Sequence, residues 1–203
     1  MIDRALRTTK DRVVGPTARM VAGRIGPGWL TVLSLAGGLG GGVAAGFGLR
    51  WQAVAVWLLG RVFDGLDGAV ARDGDRQSDL GGYLDMMADT VGYAAVPIGI
   101  ATAQASIGTW SWCAVLLATF YANTMSWTYL AAIAEKRGGG AGATGERTTI
   151  HMPAGLVEGA ETIVLFVVML SFPDQSIWWF SAMAGLVGIT VIQRLVWAVR
   201  NLR

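Results

Sequence analysis

The chain has 203 residues, enough for one domain, and 53% of them are hydrophobic, giving a mean hydropathy of +0.49. That apolar matter comes in blocks of about 20 residues, which excludes an ordinary soluble globule and points to a polytopic helical membrane protein. A net charge of only +2 gives no electrostatic case for nucleic acid, and the single cysteine, Cys113, rules out an intrachain disulfide and reads as a small packing residue.

Residues 1–26 interleave Arg4, Arg7, Lys10, Arg12, Arg19 and Arg24 with Ile2, Leu6, Val13, Val14, Met20 and Val21. This pattern predicts an amphipathic segment on an anionic membrane face, with no cleavable signal peptide. Gly26-Pro27-Gly28 separates it from a membrane domain over 27–203. Six apolar blocks follow, at 28–49, 52–71, 80–101, 108–134, 155–172 and 177–198, and all six read as transmembrane helices in an all-α fold. Glu158 and Glu161 interrupt the start of the fifth. The first block holds Gly37, Gly38, Gly40, Gly41, Gly42, Gly46 and Gly48, a small-residue pattern suited to close helix packing. Gly138 to Gly142 form a glycine-rich linker.

With the N-terminus in the cytoplasm, the loops 72–79 and 135–154 and the C-terminus are cytoplasmic too. Of the 16 Lys and Arg residues, only Arg50 then falls in an outer loop. Trp51, Trp110, Trp112, Trp178 and Trp179 gather at the outer boundaries as an aromatic belt. The expected location is the inner, cytoplasmic membrane of a prokaryote, with both termini and the acidic site described next facing the cytoplasm.

Asp64 and Asp67 lie near the end of the second block; Asp85 and Asp89 lie near the start of the third. Two carboxylates about 5 Å apart repel by about 3 kcal/mol at an effective dielectric of 20, and burial in a membrane adds a desolvation cost. Either the acids are protonated or divalent cations sit between them. The connection 73–79 is short and polar, so the two helices form an antiparallel hairpin. At 1.5 Å rise per residue, Asp67 and Asp85 lie about 7–8 Å in from it, and Asp64 and Asp89 about 12–13 Å in. Spacings of three and four keep each pair on one helix face. Four carboxylates therefore converge at matched depths, the geometry of a two-metal cage for Mg²⁺ or Mn²⁺. Gly68, Ala71, Gly81 and Gly82 leave room beside it, and Arg72 stands at its mouth. Arg61, one turn before Asp64, is placed to neutralise the acids or to touch a phosphate.

The run Asp64-x2-Asp67-Gly68-x2-Ala71-Arg72-x8-Gly81-x3-Asp85-x3-Asp89 resembles the signature of the CDP-alcohol phosphatidyltransferases, with each defining position occupied. The motif covers about an eighth of the chain, and the six-block pattern extends the resemblance. One departure is Pro27-Gly28 where the family commonly has Pro-Asn. The resemblance implies an integral membrane enzyme of phospholipid synthesis that takes a CDP-linked lipid, most often CDP-diacylglycerol. Asp64, Asp67, Asp85 and Asp89 would hold two divalent cations, and Asp89 would also be the general base. Gly68, Ala71, Arg72 and Gly81 would surround the CDP moiety. An acceptor hydroxyl attacks the phosphorus bearing the lipid and CMP leaves. Many relatives are homodimers.

The acceptor is less legible. Arg147, His151, Glu158 and Glu161 are the candidates for its pocket, with a salt-bridged helix cap as the structural alternative. Lys136, Arg137 and Arg147 suit a phosphorylated acceptor, such as glycerol 3-phosphate, inositol phosphate or phosphatidylglycerol. Tyr93 and Pro97 instead resemble the serine-using subgroup. Asn123, Ser126, Thr128 and Tyr129 line a polar cavity or bond between helices. Two other functions compete: a membrane prenyltransferase, which generally carries two separate Asp-rich motifs on a longer chain, and a divalent-cation carrier, which needs binding groups open to both sides.

Overall fold

Pro27 starts the first helix where its missing N–H costs nothing, after Gly26 in extended backbone. In a computed structural model that describes residues 25–74, 76–138 and 159–202, this helix is α1 (Pro27–Gly46). It is followed by α2 (Arg50–Asp73), α3 (Asp79–Gln104), α4 (Ile107–Lys136), α5 (Gly159–Ser171), a 3₁₀ turn (Pro173–Gln175) and α6 (Ser176–Asn201). Each expected block carries a helix, with ends shifted by a few residues. The N-terminal segment 1–24 and Arg147, His151 and Glu158 lie outside the described residues.

Local chemistry sets the turns. Gly48 takes φ +72, the left-handed conformation that reverses the chain between α1 and α2. The Ser78 hydroxyl accepts from the Gly81 N–H and caps α3, and Ser106 accepts from Thr109 N–H to cap α4.

Three stretches are long and apolar enough to cross a membrane: Pro27–Gly46, Asp79–Gln104 and Pro173–Asn201. The expectation of six crossings is thus met in helix number but not by length and composition alone. Helix α2 has 24 residues but carries Arg61, Asp64, Asp67, Arg72 and Asp73. Helix α5 has 13 described residues, about 20 Å, less than a hydrocarbon core of about 30 Å.

Helix α1 wedges between α2 and α3, and its glycines explain how. Gly37 meets Gly60 of α2 backbone to backbone. A Cβ on Gly38 would lie 2.7 Å from the Gly92 Cα, and one on Gly42 would lie 2.5 Å from the Ala95 carbonyl oxygen, both on α3. The close-packing reading of this stripe holds. A second pairing joins α4 to α6, and α5 leans on α2. Where these groups meet, Trp57 stacks on Phe166 with centroids 5.1 Å apart, and Tyr93 meets the same ring edge-on at 5.2 Å. Cys113 is buried in this core, as a packing residue should be.

The two ends of the bundle are marked by polar ties. Arg137, after α4, donates to the carbonyls of Leu202 at 2.9 Å and Asn201 at 3.4 Å, so α4 and α6 finish together. At the other end Arg50 pairs with Asp174 at 3.1 Å, and Gln104 reaches the same carboxylate. Trp51, Trp110, Trp112 and Trp178 are exposed near that end, whereas Trp179 turns inward.

The seam predicts a sharp contrast between glycines. Gly42→Val overpacks the α1–α3 contact and should lower stability by at least about 1–3 kcal/mol. Gly185→Ala, where a Cβ meets nothing within 4 Å, should be neutral or gain up to about 1 kcal/mol. Thermal unfolding in detergent compares the two.

Candidate active site

The hairpin of α2 and α3 brings the four aspartates to one end of the bundle. Asp67 is buried, and Asp64, Asp85 and Asp89 are half-buried. Asp64 of α2 and Asp89 of α3 come within reach of a side-chain hydrogen bond of one another, a contact that crosses the two helices. Asp67 and Asp85 lie close enough to the other acids to feel their charge.

Arg61 ties the deeper pair together. Its Nη1 lies 2.5 Å from Asp89 Oδ1 and 3.7 Å from Asp64 Oδ1, so one guanidinium nitrogen serves both acids. Nη2 donates to Ser34 Oγ of α1 at 3.0 Å. The guanidinium carbon lies 4.8 Å from the Tyr93 ring centroid and 5.8 Å from that of Trp57, within cation–π range. The neutralising role considered for Arg61 is the one observed. Tyr93, read as a hint of serine use, is committed to Arg61 and Phe166.

The shallower pair has a different partner. Thr31 Oγ1, on the first turns of α1, donates to Asp67 Oδ2 at 2.8 Å and also contacts the Pro27 carbonyl at 3.3 Å. Sequence reasoning missed both Thr31 and Ser34. The available signal was their depth on α1, which places short hydroxyls level with the acids.

Among the described residues, no group of three or more His, Cys, Asp or Glu side chains stands at metal-ligand spacing. Asp89 is turned to Arg61, and Asp67 to Thr31. The donor set still fits hard divalent cations: it is all oxygen, it comes from two facing helices, and its members are close enough to repel one another.

The positions flanking the acids vary in surroundings. Gly68 and Ala71 are half-buried, and Arg72 is exposed in the last turn of α2. The Arg72 guanidinium lies across Gly68, where a Cβ would stand 3.1 Å from Nη1. Gly81 is exposed, and its N–H is the one that Ser78 caps.

On the acceptor side only Glu161 falls among the described residues, half-buried in the first turn of α5. In α4, Ser126 and Thr128 bond back to their own helix and Tyr129 is exposed. Asn123 alone reaches across, its Oδ1 accepting from Arg194 Nη1 of α6 at 2.5 Å. Arg194 is only 7% exposed, and sequence reasoning missed it as well. Arg137, counted as support for a phosphorylated acceptor, instead caps the end of α6.

The family model for CDP-alcohol phosphatidyltransferase matches residues 24–192. This chain belongs to that family. The phosphatidyltransferase is 34% identical over 168 residues to the inner membrane protein YnjF of Escherichia coli (strain K12), a match covering 81% of this chain and 76% of that protein. It is 40% identical over 74 residues to the CDP-diacylglycerol–serine O-phosphatidyltransferase of Mycobacterium tuberculosis, spanning 35% of this chain but only 25% of that relative. Its fold resembles that of the Mycobacterium tuberculosis phosphatidylinositol phosphate synthase PgsA1 with CDP-DAG bound. The TM-score is 0.69 at 22% identity, covering 91% of this chain and 92% of that one. The same synthase in complex with manganese and citrate gives a TM-score of 0.68, covering 90% and 87%. The protein is therefore an integral membrane transferase of phospholipid synthesis. Nothing in these comparisons supports the prenyltransferase or the cation carrier.

The Thr31 bond supplies a test of this phosphatidyltransferase's acidic end. A hydrogen bond to a charged group contributes about 1.5–3 kcal/mol. Thr31→Val should lower thermal stability in detergent by an amount of that order, and Thr31→Ser should retain most of it.

Proposed function

We propose that the protein transfers a phosphatidyl group from CDP-diacylglycerol to an acceptor hydroxyl and releases CMP. The observation that carries this reading is the gathering of Asp64 of α2 and Asp89 of α3 about one guanidinium nitrogen of Arg61, with Asp67 and Asp85 near enough to feel the charge of the other acids. It accords with a fold like that of a synthase described with CDP-DAG bound and, separately, with manganese.

Asp64, Asp67, Asp85 and Asp89 would hold two divalent cations, Mg²⁺ or Mn²⁺, which neutralise charge on the diphosphate during displacement. Asp89 takes the proton from the acceptor hydroxyl. The acceptor oxygen forms a bond to the phosphorus bearing the lipid, the bond from that phosphorus to CMP breaks, and the electron pair leaves with CMP. Gly68 and Ala71 give the diphosphate room, Arg72 at the mouth pairs with a phosphate oxygen, and Gly81 borders the cytidine. Six helices crossing an inner membrane would leave both termini and the acidic end on the cytoplasmic side, and a homodimer is compatible with this arrangement.

The acceptor pocket is assigned to Arg147, His151, Glu158 and Glu161. Lys136 and Arg147 suit an acceptor with a negative group, such as glycerol 3-phosphate, inositol phosphate or phosphatidylglycerol, with serine as the alternative.

Purified protein should release CMP from CDP-diacylglycerol and Mn²⁺ when one of these four acceptors is supplied, and EDTA should stop it. Asp89→Asn should cut turnover by at least about 10²-fold. Metal-independent turnover, or normal turnover of Asp89→Asn, would refute the cage. In the same assay Arg147→Ala should raise the acceptor KM by about tenfold or more, leaving the KM for the CDP-lipid near its original value. Equal effects on both substrates would remove that residue from the acceptor pocket.

A further inference from the structure

Arg61 is more than a neighbour of the acids. Its side chain is 3% exposed and is gripped from three helices: Ser34 on α1, Trp57 and Asp64 on α2, and Asp89 and Tyr93 on α3. Two aromatic rings lie against it, so the guanidinium has little freedom to swing clear of the acids. A buried cation that donates to one carboxylate and pairs with a second at 3.7 Å holds them together against their mutual repulsion. It also occupies Oδ1 of Asp89.

We propose that Arg61 is a fixed internal cation that positions Asp89 for transfer and competes with divalent cations for Asp64 and Asp89. The inference rests on the reading of the four aspartates as metal ligands. Charge counting shows what such a cation contributes. Four carboxylates balance two divalent cations, leaving a neutral site. Arg61 adds one positive unit, so the loaded site presents net positive charge to an incoming diphosphate. The same unit weakens the hold of Asp64 and Asp89 on the metals, because both ions draw on the same oxygens. Arg61 therefore trades metal affinity for orientation and for attraction of the substrate. A purely structural counter-ion would show no such trade in turnover.

The test measures Mn²⁺ binding directly, by electron paramagnetic resonance or calorimetry on purified protein without substrate, alongside thermal stability in EDTA and CMP release. Arg61→Met should bind Mn²⁺ about tenfold or more tightly and melt lower in EDTA, with Mn²⁺ restoring more of the melting temperature than in the wild type. Its kcat should fall by about 10²-fold even at saturating Mn²⁺. Arg61→Lys keeps the charge without the fork and should bind Mn²⁺ as the wild type does, recovering part of kcat. It also carries the test if the Met variant does not fold. Unchanged or weaker Mn²⁺ binding by Arg61→Met overturns the competition, unchanged kcat overturns the positioning role, and a Lys variant that behaves like Met overturns both. A wild-type protein that neither binds Mn²⁺ nor releases CMP overturns the cage itself, a failure distinct from normal wild-type behaviour with an inert Arg61.

Discussion

A charge inside an apolar bundle must meet an opposite charge or a hydrogen-bond donor, and the acidic end of this protein is arranged around that demand. Asp64 and Asp89 come from different helices and share the Nη1 of Arg61, while Asp67 takes the Thr31 hydroxyl. Both supports depend on α1, which supplies Thr31 directly and steadies Arg61 through Ser34. The first helix carries none of the signature aspartates, yet the geometry of the acids rests on how closely it packs.

Arg61 also links the acids to the core. Tyr93 and Trp57 lie against its guanidinium, and both rings pack on Phe166 of α5. Four helices are thus joined through one cluster in which polar and aromatic contacts are continuous. A stacked or edge-on aromatic pair adds about 0.5–1.5 kcal/mol beyond its buried area, so the cluster stiffens the floor beneath the carboxylates at modest energetic cost.

The sequence made the α2–α3 hairpin legible because two simple facts sufficed: helix rise fixes depth, and spacings of three and four fix the face. The meeting of Asp64 with Asp89 follows from counting. The glycine stripe of α1 was legible as packing for a similar reason. The partners of Arg61 were open, because a guanidinium one turn from an acid can point to a phosphate or to the acid, and only tertiary packing decides. Thr31, Ser34, Asn123 and Arg194 went unread because a single polar residue in an apolar block carries no period, and its partner lies on a helix far away in sequence. Arg137 was open in the same way, because a basic residue near a helix end looks the same whether it meets a substrate or, as here, the carbonyls of another helix.

Gly37 and Gly60 face each other across the α1–α2 contact, and Gly38 faces Gly92 across α1–α3. When a large side chain intrudes into an ordinary core, trimming its neighbour relieves the clash. Here the neighbour is already the smallest residue there is. No second-site side-chain change can compensate for a substitution on either side, so the helices themselves would have to move apart, carrying Thr31 and Ser34 away from Asp67 and Arg61. In evolutionary terms these pairs are closed to change by single steps or by matched ones. A lineage that repurposes this bundle for another acceptor has its freedom in α4, α5 and α6, which carry none of these glycine pairs.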